Sequence, residues 1–311
     1  VVDSNRGINS TSPYLHPDQN VSEGTGNSTG VSGASSTSIS FGGGLDYVNA
    51  SSNTYVSWHW RANGGTTSSI SNGSITSTVQ ADPSGGFSIV TWTGAAGAWG
   101  TLGTVGHALS AAPTVILAKI RSGTGEWCCF FSDYGNYSIG GSNAASNKLQ
   151  LNSNAALYTN QSYADFGKVM PTSTVFTVNG NLINNSGSTV VAYCFTNIEG
   201  YIKSGIYYSN TEATDNAFVY LGFRPALLLI KAVGSGHWQL IDNKRNGFNP
   251  QPESLDADRD NASRTNATDF ADLLANGFKV RTDNQVLGEA AQNPYVYLAM
   301  AENPFRYALA R

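Results

Sequence analysis

Short apolar runs separated by clusters of glycine, serine, threonine and asparagine recur along the whole chain. Such runs predict strands where they are rich in β-branched and aromatic residues and are bounded by turn-forming residues. The clearest of them are residues 87–93, 115–119, 127–131, 175–178 and 190–196. Their length and separation predict an all-β fold of tandem β-sandwich or jelly-roll-like modules with long loops rich in Gly, Ser and Asn.

Individual runs differ in the burial that they predict. Residues 227–230 are apolar at every position, which predicts a strand buried on both faces. Residues 88–92 partly alternate, so one face of that strand is expected to lie in water. The helical pattern is residues 269–275, with Thr268 as N-cap and Gly277 after the end.

The apolar pattern also repeats along the chain. An apolar run begins at a proline and ends at a lysine, and a glycine-containing turn, a tryptophan and an aspartate follow it. The landmarks are Pro113, Lys119, Trp127 and Asp133 in one copy, and Pro225, Lys231, Trp238 and Asp242 in the next. The opening of the chain has the later part of this pattern, from Asp3, and each copy closes on an aromatic strand, around Val56, Val191 and Val296. Such repeats indicate stacked copies of one unit.

The repeat predicts a domain organisation. Residues 1–63 are a partial β module that lacks the strands preceding Asp3, residues 64–77 are a linker rich in Gly and Ser, and residues 78–202 and 203–311 are β-sandwich modules. Because strand edges invite pairing, we expect the partial module to be completed by upstream residues or by a neighbouring subunit.

Composition narrows the class of protein. Charged residues are 12% of the chain, about half of the ~25% usual in soluble domains. The net charge of −4 offers no basic patch for nucleic acid. No apolar run approaches the ~18 residues of a membrane span. Cys128, Cys129 and Cys194 are an odd number, which argues against a disulfide framework and indicates buried thiols in a protein assembled in a reducing cytoplasm.

A run of carboxylates is a weak candidate for a calcium site. Asp256, Asp258 and Asp260 stand at every second position and could supply oxygen ligands. Asn261 occupies the place of the glycine that a calcium loop requires, and Ala267 the place of its final glutamate. A solvated loop is therefore the favoured interpretation, and we predict neither a metal nor a cofactor.

The candidates for catalysis form no recognisable motif. His107 follows a glycine ahead of a strand, and a histidine in a turn is better explained by bonds to the backbone. Glycoside hydrolysis needs two facing carboxylates. The available acids, Glu126, Glu199, Asp133 and Asp242, show no pairing in the sequence, and the recurring aspartate suits a turn whose amides it caps. The sequence predicts a protein that is not an enzyme.

Aromatic residues are the candidates for binding a glycan or receptor, because their faces stack on sugar rings. Trp58 and Trp60 alternate in one predicted strand and share a face, with the alternative that both belong to the core or to a subunit interface. The other candidates are Tyr207 and Tyr208, which are adjacent, and Tyr134 and Tyr137, which lie in a polar loop.

Several stretches carry a resemblance to a known family. They are Gly106-His107-Ala108-Leu109 leading to Pro113, Lys119 and Trp127, then residues 276–281, and residues 301–307. Together they resemble an uncharacterised repeat domain family found in tailed phages, notably marine phages, near the C-termini of tail-fibre-like structural proteins. That family has no assigned catalytic residues.

The resemblance implies a non-enzymatic phage virion protein, a tail fibre or similar appendage for host-surface attachment. Such a protein is assembled in the host cytoplasm and exposed on the particle. Its expected partners are its own copies in a homotrimer, other virion proteins, and a host surface glycan or protein. The alternatives are a capsid decoration or fibre protein without a receptor role, and a tailspike that hydrolyses glycan.

Overall fold

A computed structural model describes residues 1–26, 30–35, 37–42, 48–133, 144–159, 162, 164–180, 182–210, 212, 215–265, 270–283, 287–288 and 293–304. These residues form strands β1 (Val31–Ala34), β2 (Ile39–Phe41), β3 (Ser68–Ile70), β4 (Ser77–Asp82), β5 (Phe87–Thr93), β6 (Leu102–Gly106), β7 (Val115–Ile120), β8 (Cys128–Phe131), β9 (Leu149–Gln150), β10 (Val175–Asn179), β11 (Thr189–Phe195), β12 (Ile202–Tyr208), β13 (Phe218–Tyr220), β14 (Pro225–Ala232), β15 (Gln239–Asp242), β16 (Glu253–Asp256), β17 (Arg264–Thr265), β18 (Ala271–Leu274), β19 (Gly277–Val280) and β20 (Pro294–Ala301). Short 3₁₀ turns occupy Asn63–Gly65 and Ala144–Ser146. Within these ranges no helix has the length and apolar character that crossing a membrane requires.

The strands form antiparallel sheets. A seven-stranded sheet has the order β3-β4-β5-β11-β7-β8-β9, and a six-stranded sheet has the order β12-β20-β14-β15-β16-β17. Smaller sheets are β10-β6, β13-β19-β18 and the hairpin β1-β2. The prediction of an all-β, sandwich-type fold is confirmed.

The strand β14 explains how the apolar run at residues 227–230 is accommodated. Leu227 and Leu229 belong to a core that includes residues of both large sheets, whereas Leu228 and Ile230 belong to a core between the six-stranded and three-stranded sheets. Successive side chains of a strand point to opposite faces. Both faces of β14 are therefore dry, as predicted.

The prediction that one face of residues 88–92 lies in water is wrong. Ser88, Val90 and Trp92 are buried, and the ring of Trp92 contacts that of Phe176 on β10 at 5.6 Å. On the other face, Gln80 lies opposite Ile89 in the ladder, and Ser4 near the start of the chain covers it with a hydrogen bond to its side chain. Tertiary contacts from both sides thus bury a strand whose local pattern is half polar.

The predicted helix over residues 269–275 is also wrong. Residues 271–274 form β18, which pairs with β19 so that Leu273 lies opposite Phe278. Ala271 and Leu273 point into the core, which is the period of a strand. A turn then leads to Gly277, where a Cβ atom would overlap the carbonyl of Val219 on the neighbouring strand.

The predicted linker and closing strand need correction as well. Residues 64–77 contain β3, which pairs with β4 at the edge of the seven-stranded sheet. The boundary placed between residues 202 and 203 falls inside β12. Residues 55–60 are in no ladder of the described chain, although Trp58 and Trp60 alternate in burial with their exposed neighbours, as predicted.

The burial of β14 allows a test by truncation. We expect Leu228→Ala to lower the free energy of unfolding by about 2–5 kcal/mol, because it leaves a cavity at a side chain that is 0% exposed. Leu102→Ala is the matched control, since Leu102 is 51% exposed and should lose under about 1 kcal/mol. Urea unfolding measures both, and equal losses would contradict the placement of β14 between two cores.

Candidate functional site

The end of strand β7 buries a lysine that has no carboxylate partner within hydrogen-bonding distance in the described residues. Lys119 is 0% exposed, and its Nζ donates to the carbonyl oxygens of Val21 at 2.8 Å, Ile120 at 3.0 Å and Asn20 at 3.4 Å. An ammonium group has three donors, and each finds an acceptor here. Two of the acceptors come from a segment close to the start of the chain.

The corresponding lysine of β14 has the same surroundings. Lys231 is 0% exposed, and its Nζ donates to Ala232 O at 2.7 Å, Gly234 O at 2.9 Å and Ala155 O at 3.1 Å. Again, one acceptor belongs to a distant segment, which follows β9. Burial lowers the pKa of Lys231 to about 8 and lowers that of Lys119. Below its pKa of about 8, the charged form of Lys231 matches the surrounding ring of carbonyls.

The tryptophan that follows each lysine reaches the same distant segment. Trp127 Nε1 donates to His16 O at 2.8 Å, and Trp238 Nε1 donates to Gln150 O at 2.8 Å. Both indoles are almost completely buried. A buried indole N–H without an acceptor would be costly, so each tryptophan fixes the position of its segment.

Backbone hydrogen bonds complete both contacts. In the first, Gly125 N donates to Asn20 O and Glu23 N donates to Arg121 O; in the second, Gly236 N donates to Asn154 O and Leu157 N donates to Val233 O, all at 2.8 Å. Residues 14–24 and 148–158, which we call the docking turns, are each closed by an isolated antiparallel bridge, Tyr14 with Gly24 and Lys148 with Tyr158. Each docking turn thus packs against the large sheet that comes next in the chain.

Two of the three recurring aspartates, Asp3 and Asp242, act as turn caps. Asp3 accepts from Arg6 N at 2.9 Å and Arg6 Nε at 2.5 Å, and Asp242 accepts from Arg245 N at 3.0 Å and Arg245 Nε at 2.7 Å. The predicted capping role is therefore observed at both positions. Asp133 differs, because the ladder of β7 and β8 puts Phe131 opposite Val115, whereas the ladder of β14 and β15 puts Asp242 opposite Leu227.

The proposed calcium ligands are already bonded to protein groups. Asp256 accepts from Gln239 at 2.7 Å and pairs with Arg264 at 2.7 Å, and Asp258 accepts from Trp238 N at 3.0 Å and contacts His237 at 2.7 Å. Asp260 is exposed. The described residues hold no cluster of three or more His, Cys, Asp or Glu side chains that could bind a metal.

The aromatic candidates fall into different environments. Tyr207 is a correction: it is 6% exposed, its ring stacks on Tyr295 at 5.1 Å, and its hydroxyl donates to Leu287 O at 2.8 Å. It cannot contact a glycan, because β12 directs it into the core. Tyr208, the next residue, is 48% exposed. Tyr134 and Tyr137 lie outside the described residues.

The two tryptophans among the aromatic candidates pack inward. Trp58 and Trp60 are half-buried against the core shared by the large sheets. The Trp60 ring contacts Phe195 edge-on at 6.3 Å, and its Nε1 donates to Met300 Sδ. This packing agrees with the alternative that both tryptophans belong to the core.

An exposed aromatic face was missed by the sequence reasoning. Phe218 and Tyr220 point outward from β13 and are 48% and 62% exposed, while Val219 between them is buried. Tyr220 lies opposite Gly277, and Lys203 Nζ stands 5.4 Å from its ring centroid and donates to its carbonyl at 2.8 Å. The signal was the alternation Phe-Val-Tyr, which predicts one exposed aromatic side.

Of the carboxylates considered for catalysis, Glu126 shares a cleft with Asp18, an acid that the sequence did not single out. Asp18 and Glu126 line an open cleft of about 500 Å³ between the two docking turns, and Glu126 accepts a hydrogen bond from Asn152. His107 is structural, as expected: its Nε2 faces Thr172 O at 3.1 Å and its Nδ1 accepts from Leu109 N at 3.1 Å. Burial lowers the pKa of His107 and keeps it neutral.

The cysteines are unsuited to chemistry. Cys128, Cys129 and Cys194 are free and buried. Burial raises the pKa of the Cys194 thiol to about 12 and raises those of the other two, so each stays protonated. Because the thiolate is the reactive form, these residues serve as small apolar groups.

Comparison with known proteins identifies a family for this chain. The model of a family described as Domain of unknown function (DUF7483) matches residues 1–304. No curated protein and no solved structure matches the chain.

The buried lysine can be tested by substitution. We expect Lys231→Met to lower the free energy of unfolding by about 3 kcal/mol, because it leaves three buried carbonyls without their donor. Lys244→Met is the matched control, since Lys244 is exposed and its replacement should change stability by under about 0.5 kcal/mol. Chemical denaturation measures both; a stable Lys231→Met protein would show that the carbonyl ring is unimportant.

The lowered pKa of Lys231 predicts a pH dependence. Between about pH 8 and the usual lysine value of 10.5, the unfolded chain keeps a proton that the folded chain has released. As the pH increases through this range, the free energy of unfolding of the wild type should therefore rise relative to that of Lys231→Met, by at most about 1.4 kcal/mol per pH unit. Denaturation of both proteins from roughly pH 7 to roughly pH 10 measures this difference, and parallel stability curves would contradict it.

Proposed function

This chain belongs to the family of the Domain of unknown function (DUF7483), and we propose that it is a non-enzymatic structural protein of a phage virion. It is an array of repeated sheet units in a tail fibre or similar appendage, and it contacts the host surface. The observation that carries the proposal is the duplicated set of contacts by which each docking turn holds the next large sheet.

The strand order supports a repeat. The strands β5-β11-β7-β8-β9 are neighbours in the seven-stranded sheet, and β12-β20-β14-β15-β16 are neighbours in the six-stranded sheet. In both sets the chain forms the first strand, then the third, fourth and fifth, and returns last to the second. The register agrees as well, since Lys119 pairs with Val191 and Lys231 pairs with Val296. Units that bury side chains against their neighbours are typical of arrays.

The use of the polar residues supports a structural role. The buried lysines, tryptophans and turn aspartates all bond groups of the protein itself. The chain has only 12% charged residues, so its solubility depends on neutral hydroxyl and amide groups, as in many extracellular β proteins. A protein that works by display and contact needs this kind of surface and no reactive centre.

The place in a virion rests on the resemblance to tail-fibre-like phage proteins carried by Gly106-His107-Ala108-Leu109 and residues 301–307. A homotrimer suits such an appendage, because cyclic symmetry multiplies weak receptor contacts. A capsid decoration protein would share the stable modules and lack a receptor role. The exposed side chains of Phe218 and Tyr220 favour a contact function, since a glycan or a protein can pack on aromatic rings.

A tailspike hydrolase is the enzymatic alternative. The cleft between the docking turns contains two carboxylates, Asp18 and Glu126, and is open to a polymer. Glu126 is bonded to Asn152, which fits a structural use.

The function is tested by location and binding. Gold-labelled antibody against this chain should mark tail fibres on purified virions, and Phe218→Ala/Tyr220→Ala should weaken binding of the protein to host cells by roughly tenfold, or about 1.4 kcal/mol. Phe248→Ala is the matched control, because this exposed phenylalanine lies in a loop outside the aromatic face and should leave binding unchanged.

Other outcomes would support the alternatives. Gold on the capsid, with no binding to cells, would favour a decoration protein, and unlabelled virions would overturn the proposal. Reducing ends released from host polysaccharide by the wild type, but not by Asp18→Asn/Glu126→Gln, would establish the hydrolase instead.

A further inference from the structure

The segment after β15 contains a third copy of the docking turn. In residues 254–264 the strands β16 and β17 pair Ser254 with Arg264, which is the bridge that joins Tyr14 to Gly24 and Lys148 to Tyr158 in the docking turns. The three segments have the same length and align without a gap, with a leucine as the second residue of each, namely Leu15, Leu149 and Leu255. We call residues 254–264 the third turn.

The third turn contacts the tryptophan of its own sheet in the same way as the second docking turn does. In the second copy, Asn152 Oδ1 accepts from Trp127 N at 2.9 Å; at the same position in the third turn, Asp258 Oδ1 accepts from Trp238 N at 3.0 Å. This side-chain bond therefore holds the third turn on its own sheet, as the equivalent bond holds the second docking turn. This agreement means that the third turn presents its outward groups in the geometry of a docking turn.

The outward contacts are where the third turn differs. Asn20 O and Asn154 O accept from a glycine of the next sheet, and Glu23 N and Leu157 N donate to its carbonyls. The corresponding groups of the third turn are Asp260 O and Ser263 N, and Asn261 O stands where Val21 O and Ala155 O receive a lysine. No bond to these three groups is formed within the described part of the chain.

We propose that the third turn is a docking site for a further sheet unit of the same kind. Its partner is a β-sandwich unit that presents a lysine at the end of a buried strand, followed by a glycine two residues before a tryptophan. The ammonium group would donate to Asn261 O, the glycine N–H to Asp260 O, and a carbonyl of the partner would accept from Ser263 N. These are the contacts that the described turns make with Lys119 and Lys231.

The third turn has more carboxylates than the second, although the exposed Arg259 stands beside Asp260. The third turn carries Asp256, Asp258 and Asp260, where the second has Gln150, Asn152 and Asn154. Asp256 is paired with Arg264 and Asp258 with His237, which leaves the exposed Asp260 beside the expected position of the lysine. An ammonium ion buried here would gain from an adjacent carboxylate.

The partner must be a unit whose lysine is not already in use. Lys119 and Lys231 are both fully buried on turns of their own chain, so an intact second copy does not supply one.

This inference rests on the array proposed above, and the test separates the two. It uses an extended chain in which residues 1–301 are followed by residues 196–311, so that one more sheet unit comes after the third turn.

Amide hydrogen exchange provides the measurement. In the wild type, the amides of Glu23 and Leu157 should be protected and that of Ser263 should exchange fast. In the extended chain, the Ser263 amide of the original third turn should slow by roughly tenfold or more, because it gains a buried acceptor. Arg259→Lys in the added unit distinguishes its peptides by mass from the original ones.

The matched control is the extended chain with Lys231→Met and Trp238→Phe in the added unit alone, which should return Ser263 to fast exchange. Protection of the added β14 reports that the added unit is folded. If that unit is folded and Ser263 stays fast, the docking proposal is wrong. Lys231→Met in the wild type tests the array independently: loss of protection at Leu157 supports it, and unchanged protection there overturns it.

Discussion

The structure depends on the burial of a lysine ammonium group at each junction between a turn and a sheet. Moving such a charge out of water is costly unless its donors are satisfied, and three carbonyls around each Nζ meet that requirement. Because Val21 and Ala155 supply part of each ring, Lys119 and Lys231 can be buried only when the neighbouring segment is in place. A requirement of charge solvation thus becomes a coupling between consecutive units, to which the buried tryptophans add area and a directional bond.

The coupling uses backbone atoms on the receiving side, which explains why the likeness between the two docking turns is faint in the sequence. Nearly any residue can offer a backbone carbonyl or N–H, so the docking turns share little beyond the leucines Leu15 and Leu149 and the asparagines Asn20 and Asn154. Side-chain differences then adjust each junction. Glu23 bridges Arg6 at 2.7 Å and Arg121 at 2.8 Å in the first, whereas Leu157 is buried at the same position in the second.

The layering of the sheets leaves the outer faces available for contact. Both faces of β14 are in cores, and the three-stranded sheet covers the six-stranded one, so the far side of β13 is an outer surface. There Phe218 and Tyr220 are exposed with Lys203 over the ring of Tyr220. The buried inner sheets thus leave an aromatic face exposed on the outer one.

The sequence by itself determined the strands with strong β-branched and aromatic character, the double burial of residues 227–230, and the lysine and tryptophan landmarks. These follow from local pattern and side-chain type. The tertiary structure alone decided what those landmarks bond, because their acceptors are backbone carbonyls with no sequence signature. It also made residues 271–274 a strand and buried both sides of β5 and the ring of Tyr207, since coverage by a neighbouring sheet overrides local polarity and propensity.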